Sequence, residues 1–253
     1  MKLGAVTYNI LNDWNLETII IKLEELGYEA VELRTTHKHG VEPSIGTAER
    51  EKVRKRFEVS RVRLWGLGSV CEFHSPDASE RDRQVEIAKT FVDLARDTGA
   101  KGVKVRPNNL PEGVPHEETI ANIAACLREV GDFAAEKGIE IWLEVHGPGT
   151  SAPPVIAQIM KQVKKENVGV CWNSNPGEAV DGSVKQNFDL LRPWIKSVHI
   201  NELANSLYPW RELFRLLRES GYDRYTLCEA QDCPQKERFL QYYRALWMEL
   251  NRE

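Results

Sequence analysis

Two hydrophobic patterns alternate along the chain. Short apolar runs, which are typical of buried strands, are each followed by a longer segment whose apolar positions recur with helical spacing. Strands are predicted at residues 3–8, 30–34, 62–68, 102–105, 139–147, 168–172, 195–200 and 225–228, and helices at 16–26, 47–59, 79–98, 115–137, 153–165, 184–191, 209–220 and 235–250. The pattern therefore predicts eight strand–helix units of roughly 30 residues each.

Glycines mark the ends of several predicted helices and precede short apolar strands. At such positions glycine supplies the left-handed backbone conformation of a helix C-cap. The residues are Gly27, Gly99, Gly138 and Gly221. Strands that alternate with helices through short links form parallel sheets. Eight units favour a single α/β domain over residues 1–253, a (β/α)8 TIM barrel with a parallel eight-stranded core. An open doubly wound sheet is the alternative.

Composition and charge narrow the class of partner and the compartment. A net charge of −4 disfavours a nucleic-acid partner, which usually requires a basic face. The five cysteines are scattered without a paired motif, which is typical of a reducing compartment. The N-terminus lacks the apolar core of a signal peptide, and no apolar run reaches the roughly 20 residues that span a membrane. We therefore expect a cytoplasmic protein without a membrane partner.

The fifth predicted strand carries the most informative polar residues. It ends with Glu144 and His146, and side chains two residues apart on a strand point to the same side. An unpaired buried carboxylate is costly. A metal ion, a cationic side chain or a substrate must therefore compensate the charge of Glu144.

Polar residues also follow or end most of the other predicted strands. The active sites of such barrels lie at the C-terminal ends of the strands, so these side chains should converge at one mouth. They are Glu32, Arg34, Glu72, His74, Lys104, Arg106, Asn173, His199, Glu202 and Glu229. We expect a functional site where they meet.

Short motifs in four successive strands carry a resemblance to a known family. They are Glu-x-His at residues 144–146, Gly-Val-Cys-Trp at 169–172, Val-His-Ile at 198–200 and Leu-Cys-Glu at 227–229. In this order and spacing the chain resembles the xylose-isomerase-like TIM barrel superfamily of sugar isomerases, sugar 3-epimerases and endonuclease-IV-like proteins. Many of its members are of the sugar phosphate isomerase/epimerase type.

The resemblance implies one divalent cation, Mn, Mg, Co or Zn, held at the ends of strands five to eight. Its ligands would be Glu144, Asn173, His199 and Glu229. Asn173 stands where the family usually has an aspartate, and Pro176 stands where it often has a histidine. An amide oxygen can ligate a hard cation but brings no negative charge, so weaker binding is expected.

The implied chemistry is proton transfer next to a carbonyl on a small sugar or polyol. The cation would polarise the carbonyl, and Glu144 and Glu229 would move the proton through an enediolate as an acid/base pair. The alternative is a structural role, in which Glu144 and Glu229 form a buried ion network with Lys104 and Arg106.

Several cationic and imidazole side chains are candidates for binding the substrate. Arg34, Lys104 and Arg106 could hold a carboxylate or phosphate group, although internal pairing, for instance of Lys104 with Glu32, is equally compatible. The remaining candidates are His37, His39, His74, His146 and Glu202, of which His146 is the best placed to bond a substrate hydroxyl. The aromatic Tyr8, Trp65 and Trp142 would either line the pocket or pack in the core.

Two other functions and one structural question stay open at this point. A lyase or dehydratase of a cyclic polyol or acid could use the same scaffold, since the fold does not determine the reaction. A weakly active sugar-binding relative is compatible with Asn173 and Pro176. An endonuclease-IV-type phosphodiesterase is disfavoured, because the chain has only six histidines and a net charge of −4. Trp210 and Trp247 could mark a homo-oligomer contact or pack against the barrel.

Overall fold

The computed structural model describes residues 1–252, in which eight strands alternate with eight α-helices. The strands are β1 (Lys2–Val6), β2 (Ala30–Arg34), β3 (Arg63–Glu72), β4 (Gly102–Arg106), β5 (Glu140–Glu144), β6 (Val168–Trp172), β7 (Ile195–Ile200) and β8 (Tyr225–Cys228). The helices are α1 (Leu16–Glu25), α2 (Thr47–Glu58), α3 (Ala78–Thr98), α4 (His116–Ala135), α5 (Pro153–Val163), α6 (Lys185–Leu191), α7 (Trp210–Glu219) and α8 (Lys236–Leu250).

The strands form a closed barrel in sequence order, and all neighbouring strands are parallel. The barrel closes where β1 pairs with β8, with Gly4 opposite Leu227. The (β/α)8 prediction is therefore confirmed, and the open sheet is excluded. The predicted domain also included Glu253, which lies outside the described residues.

Two strands end three or four residues away from the predicted position. β3 continues to Glu72, because a register shift after Gly68 brings Glu72 opposite Arg106 of β4. β5 ends at Glu144, and the chain then turns at Gly147, whose φ is +89°. A β-carbon at Gly147 would lie 2.2 Å from the carbonyl oxygen of Asn108, so only glycine fits there. The tight turn explains the early end of β5.

The end of the barrel opposite the mouth is filled by aromatic side chains. Trp142 stacks on Trp65 with ring centroids 5.1 Å apart. Gly66 and Gly102 make room for it, since a β-carbon at either glycine would lie within 2.6 Å of its ring. Trp142 points to the same side of β5 as Glu144 but one layer deeper. Both tryptophans therefore pack at this end of the barrel and do not line the mouth.

The two tryptophans considered for a subunit contact are buried within the protomer. Trp210 stacks on Tyr208, and the indole N–H of Trp247 donates to Oγ1 of Thr226 at 2.8 Å. Packing against the barrel accounts for both, and a homo-oligomer stays a prediction. Among the described residues, the helices are all too short or too polar to cross a membrane.

Candidate active site

The centre of the mouth is formed by His199 of β7, Glu144 of β5 and Glu229, which follows β8. Nδ1 of His199 lies 3.4 Å from Oε1 of Glu144 and 3.6 Å from Oε2 of Glu229. One potential ligand atom from each of the three residues lies within 4.8 Å of the other two. A single cation can therefore contact all three side chains.

Glu32 of β2 determines the orientation of the His199 ring. Its Oε2 lies 3.2 Å from Nε2 of His199, and both side chains are fully buried. Gly68 provides the space, because a β-carbon there would lie 2.8 Å from Oε1 of Glu32. With Nε2 protonated and donating to Glu32, Nδ1 presents its lone pair to the two other carboxylates. A carboxylate behind a metal-binding histidine is a common arrangement.

The pKa of His199 is subject to two opposing effects of this buried position. Burial alone would lower its pKa, but the neighbouring Cys171, Glu32 and Glu229 outweigh that effect and raise the pKa well above its usual value. The carboxylates thus attract positive charge to the position of the imidazole.

Asn173 directly follows β6 and completes the predicted ligand set. Its side chain is buried and lines the same cavity as Glu144 and Glu229, and its Oδ1 has no hydrogen-bond partner. Nδ1 of His199 also lacks one. Buried polar atoms are normally satisfied, so two lone-pair donors without a hydrogen-bond partner in one site fit a role as ligands of a cation. The mixed oxygen and nitrogen set suits Mn²⁺, Mg²⁺, Co²⁺ or Zn²⁺.

A buried ion pair lies beside this centre. Nζ of Lys104 contacts Oε2 of Glu144 at 2.7 Å. Burial opposes the charged form of both groups, yet their attraction dominates: the pKa of Lys104 is raised, and that of Glu144 is lowered with help from His199. The alternative ion network is thus formed in part. Arg106, however, pairs with Glu72 at the end of β3.

A cavity of about 220 Å³ opens directly above these residues. It is lined by Val6, Tyr8, Asn9, Arg34, Lys104, Arg106, Glu144, His146, Asn173, Asn175, Asn201, Glu229 and Gln231. Polar and charged side chains predominate, which suits a hydroxylated ligand and excludes a purely apolar one.

Four of the predicted substrate-binding residues line this cavity. Two of them, Lys104 and Arg106, are also the cations of the ion pairs described above. Arg34 lies with its guanidinium 5.4 Å from the ring centre of Tyr8 and donates to the carbonyl of Thr35. Nδ1 of His146 lies 3.0 Å from Oδ1 of Asn108.

The other four candidates lie outside this cavity. His37 contacts Oγ1 of Thr7, and burial lowers its pKa to about 4. Both ring nitrogens of His39 are bonded to backbone groups, at Arg34 and Val41. The two remaining candidates are His74, whose Nδ1 is 4.0 Å from Glu72, and Glu202, which lines a neighbouring cavity.

Sequence reasoning missed four amides of the cavity and one buried acid. The amides are Asn9, Asn175, Asn201 and Gln231, and each lies one to three residues beyond a strand end. Their position just after a strand end was the sequence feature that could have identified them. Glu178 gave no such signal: it is fully buried in a 3₁₀ turn after β6, and burial raises its pKa to about 8.

Comparison with known proteins agrees with this fold. The family model described as xylose isomerase-like TIM barrel matches residues 20–246. The chain belongs to the xylose isomerase-like TIM barrel family. An inosose isomerase of Bacillus velezensis is a relative in sequence, with 23% identity over 188 residues. The match covers 73% of this chain and 66% of the isomerase, just under two thirds of its length.

Solved structures of similar fold include a zinc-binding protein and a sugar epimerase. The IOLI protein with a bound zinc atom superposes with a TM-score of 0.85 at 18% identity, covering 99% of this chain and 98% of the other. D-psicose 3-epimerase with D-tagatose, from Clostridium cellulolyticum H10, has a TM-score of 0.84 at 14% identity and covers 99% of each chain. At such identities the likeness is one of fold.

Proposed function

We propose that this protein is a divalent-cation-dependent isomerase or epimerase of a small sugar or polyol ketone. The observation that carries the proposal is the arrangement of Glu144, Glu229 and the unpartnered Nδ1 of His199 beneath a polar cavity. The sugar chemistry named for its relatives supports the same class.

The cation would be held by Glu144, Asn173, His199 and Glu229. When bound, it supplies a Lewis acid that polarises a carbonyl and an adjacent hydroxyl of the substrate. Glu32 contributes by keeping Nε2 of His199 occupied, so that Nδ1 is the ligand atom.

The two carboxylates of the site have different surroundings, and we assign them different roles. Glu144 is buried and bonded to Lys104, which keeps it ionised. Glu229 is 14% exposed and lines the cavity, so it has the freer access to a carbon-bound proton. Glu229 therefore removes the proton next to the carbonyl. Return of that proton from Glu229 to the former carbonyl carbon gives isomerisation. For epimerisation, Glu144 would first take a proton from the ammonium group of Lys104, 2.7 Å away, and then deliver it to the opposite face.

The rim of the cavity would hold the rest of the substrate. Arg34 and Arg106 present guanidinium groups, which bind hydroxyls and anionic groups through several N–H donors. The amides of Asn175, Asn201 and Gln231 add donors and acceptors for hydroxyl groups.

Exchange of carbon-bound hydrogen with solvent tests this proposal directly. The protein is incubated in D₂O with Mn²⁺ or Zn²⁺ and a panel of ketoses, keto-inositols and their phosphates, and deuterium incorporation is followed by NMR. Glu229→Gln should lower the exchange rate at least about 100-fold. Glu49→Gln, an exposed carboxylate on α2, is the control and should leave it unchanged. Absence of exchange with every substrate, or full activity of Glu229→Gln, would contradict the proposal.

A further inference from the structure

A second cavity adjoins the first at the mouth of the barrel. It has a volume of about 340 Å³ and lies between the loops that follow β6 and β7. Asn201, Glu229 and Gln231 line both cavities. A ligand that occupies the first cavity can therefore continue into the second past the carboxylate of Glu229.

The second cavity differs from the first in its chemistry. Its walls include Pro176, Ala179, Leu207, Tyr208 and Trp210. The polar atoms of the two aromatic rings are engaged elsewhere: the hydroxyl of Tyr208 donates to Glu178 at 2.8 Å, and the indole N–H of Trp210 donates to the carbonyl of Asn205 at 2.9 Å. These rings therefore present mainly carbon atoms to the second cavity, whereas the walls of the first cavity present mainly polar and charged groups.

Leu207 is the most exposed large apolar side chain of the described residues, at 89% exposure. Its backbone N–H is bonded to Oδ1 of Asn205, so it sits on a formed turn at the edge of the second cavity. An apolar ligand group in that cavity would cover Leu207 and remove apolar surface from water.

The size of the first cavity limits the ligand that it can hold by itself. Its volume of about 220 Å³ is below the roughly 300–1,000 Å³ of typical small-molecule sites. A substrate larger than one small polyhydroxylated ring must therefore reach into the second cavity.

We propose that the second cavity is a subsite for an apolar ring substituent of the substrate, such as the aryl aglycone of a glycoside. The inference rests on the proposed function, because it assigns the polyhydroxylated ring to the first cavity. The substrate class is thus a sugar ring that bears an apolar group on the side facing the β6 and β7 loops.

Calorimetric binding of methyl and phenyl β-D-glucopyranoside to the Mn²⁺-loaded protein tests the subsite. The phenyl compound should bind at least tenfold more tightly than the methyl compound. Leu207→Glu and Ala179→Phe, which make the cavity polar or fill it, should reduce this ratio to below twofold. Val59→Glu is the matched control, because Val59 is 82% exposed on the distant α2 end, and it should preserve the ratio.

Three results would overturn the subsite. They are a ratio near one or unmeasurable phenyl glucoside binding in the wild type, a ratio that persists in both cavity variants, and a wild-type dimer in sedimentation that Leu207→Glu dissociates. The last result would mean that a second copy of the chain covers Leu207. The glucosides have no ketone, so their binding does not depend on catalysis, and a failure of the proposed function appears separately as missing hydrogen exchange.

Discussion

The side chains at the centre of this mouth carry an excess of buried negative charge. Glu32, Glu144 and Glu229 surround His199, and Lys104 is the cation bonded to one of them. Buried charges require compensation. Lys104 and a protonated His199 supply part of it, and a bound divalent cation, which would displace the proton from Nδ1 of His199, would supply the rest. Asn173 adds no negative charge of its own. Lys104 and the cation therefore compete for the negative charge of Glu144, and this competition decides how tightly the cation binds.

Replacing Lys104 separates these two contributions. Lys104→Met leaves Glu144 buried without its partner, which should lower the free energy of unfolding by about 3–5 kcal/mol when a chelator is present. Saturating Mn²⁺ should restore more than half of this loss, because the cation then neutralises Glu144. Urea unfolding with EDTA and with Mn²⁺ measures both values. Lys52→Met, on the exposed face of α2, should change stability by less than about 0.5 kcal/mol. A loss that Mn²⁺ does not reduce would contradict the assignment of Glu144 as a ligand.

Glu32 tests the orientation of the histidine. Glu32→Gln keeps the shape of the side chain but removes the charge behind Nε2 of His199, so cation affinity should fall about 10-fold to 100-fold. Fluorescence-monitored Mn²⁺ or Zn²⁺ titration measures the change, with Glu49→Gln as the control. Unchanged affinity would mean that His199 does not bind the cation through Nδ1.

For individual residues, the sequence predicts where a side chain lies in the barrel better than it predicts which group that side chain bonds to. Polar residues at strand ends must meet at the mouth of a barrel, which is why Glu144, Asn173 and His199 could be placed together. The partner of Arg106 could not be predicted, because its contact with Glu72 depends on a register shift within β3. The backbone bonds of His39 similarly depend on a loop conformation that has no periodic pattern.

Among the elements, the loop after β6 is held by a buried polar network. Glu178, in the 3₁₀ turn Pro176–Glu178, accepts a hydrogen bond from Tyr208, whose hydroxyl in turn accepts one from the indole N–H of Trp172. Nδ2 of Asn175 lies 3.3 Å from Glu178. The network therefore links the end of β6, where Asn173 faces the site, to the loop that follows β7.

The titration of Glu178 should appear in the pH dependence of stability. Burial outweighs the hydrogen bonds and raises its pKa from 4.5 to about 8, so the folded protein binds a proton that the unfolded chain releases between these values. Stability from this group is therefore lost as pH rises through that window, by up to about 1.4 kcal/mol per pH unit. Urea unfolding from pH 5 to 8 should show this slope in the wild type and a correspondingly flatter slope in Glu178→Gln. Parallel curves would contradict the raised pKa.

Element boundaries follow the hydrophobic pattern except where tertiary contacts intervene. The four glycines predicted to end helices, 27, 99, 138 and 221, all have positive φ. The pattern predicts that β3 ends at Gly68, yet pairing with β4 extends it to Glu72. The 3₁₀ turns after β6 and α6 have no hydrophobic periodicity and could not be predicted.

Across the whole molecule, the two ends of the barrel are built differently. The closed end is packed with Trp65 and Trp142, and Glu140 there pairs with Arg224 at 2.7 Å. The mouth instead collects carboxylates and unpartnered ligand atoms. This division is the general one for such barrels, in which one end provides stability and the other provides the site. It also explains why alternating strands and helices sufficed to predict the fold and pointed to the mouth as the candidate site.

The closed end should tolerate little additional volume. A β-carbon at Gly102 would lie 2.5 Å from the ring of Trp142, so Gly102→Ala should cost about 1–3 kcal/mol of folding free energy. Gly177→Ala, where a β-carbon meets no atom within 4 Å, is the control. Thermal and urea unfolding measure the difference, and equal stability of the two variants would show that Trp142 can move aside.

The central claim is that the ends of β5 to β8 hold one divalent cation, and equilibrium dialysis with Mn²⁺ and Zn²⁺ tests it most directly. We expect the wild type to bind about one cation per chain. Asn173→Asp, which adds the missing charge, should bind at least about tenfold more tightly, and Glu229→Gln at least about tenfold more weakly. A wild type that binds no cation, even if Asn173→Asp does, or a Glu229→Gln variant with unchanged affinity, would contradict the account.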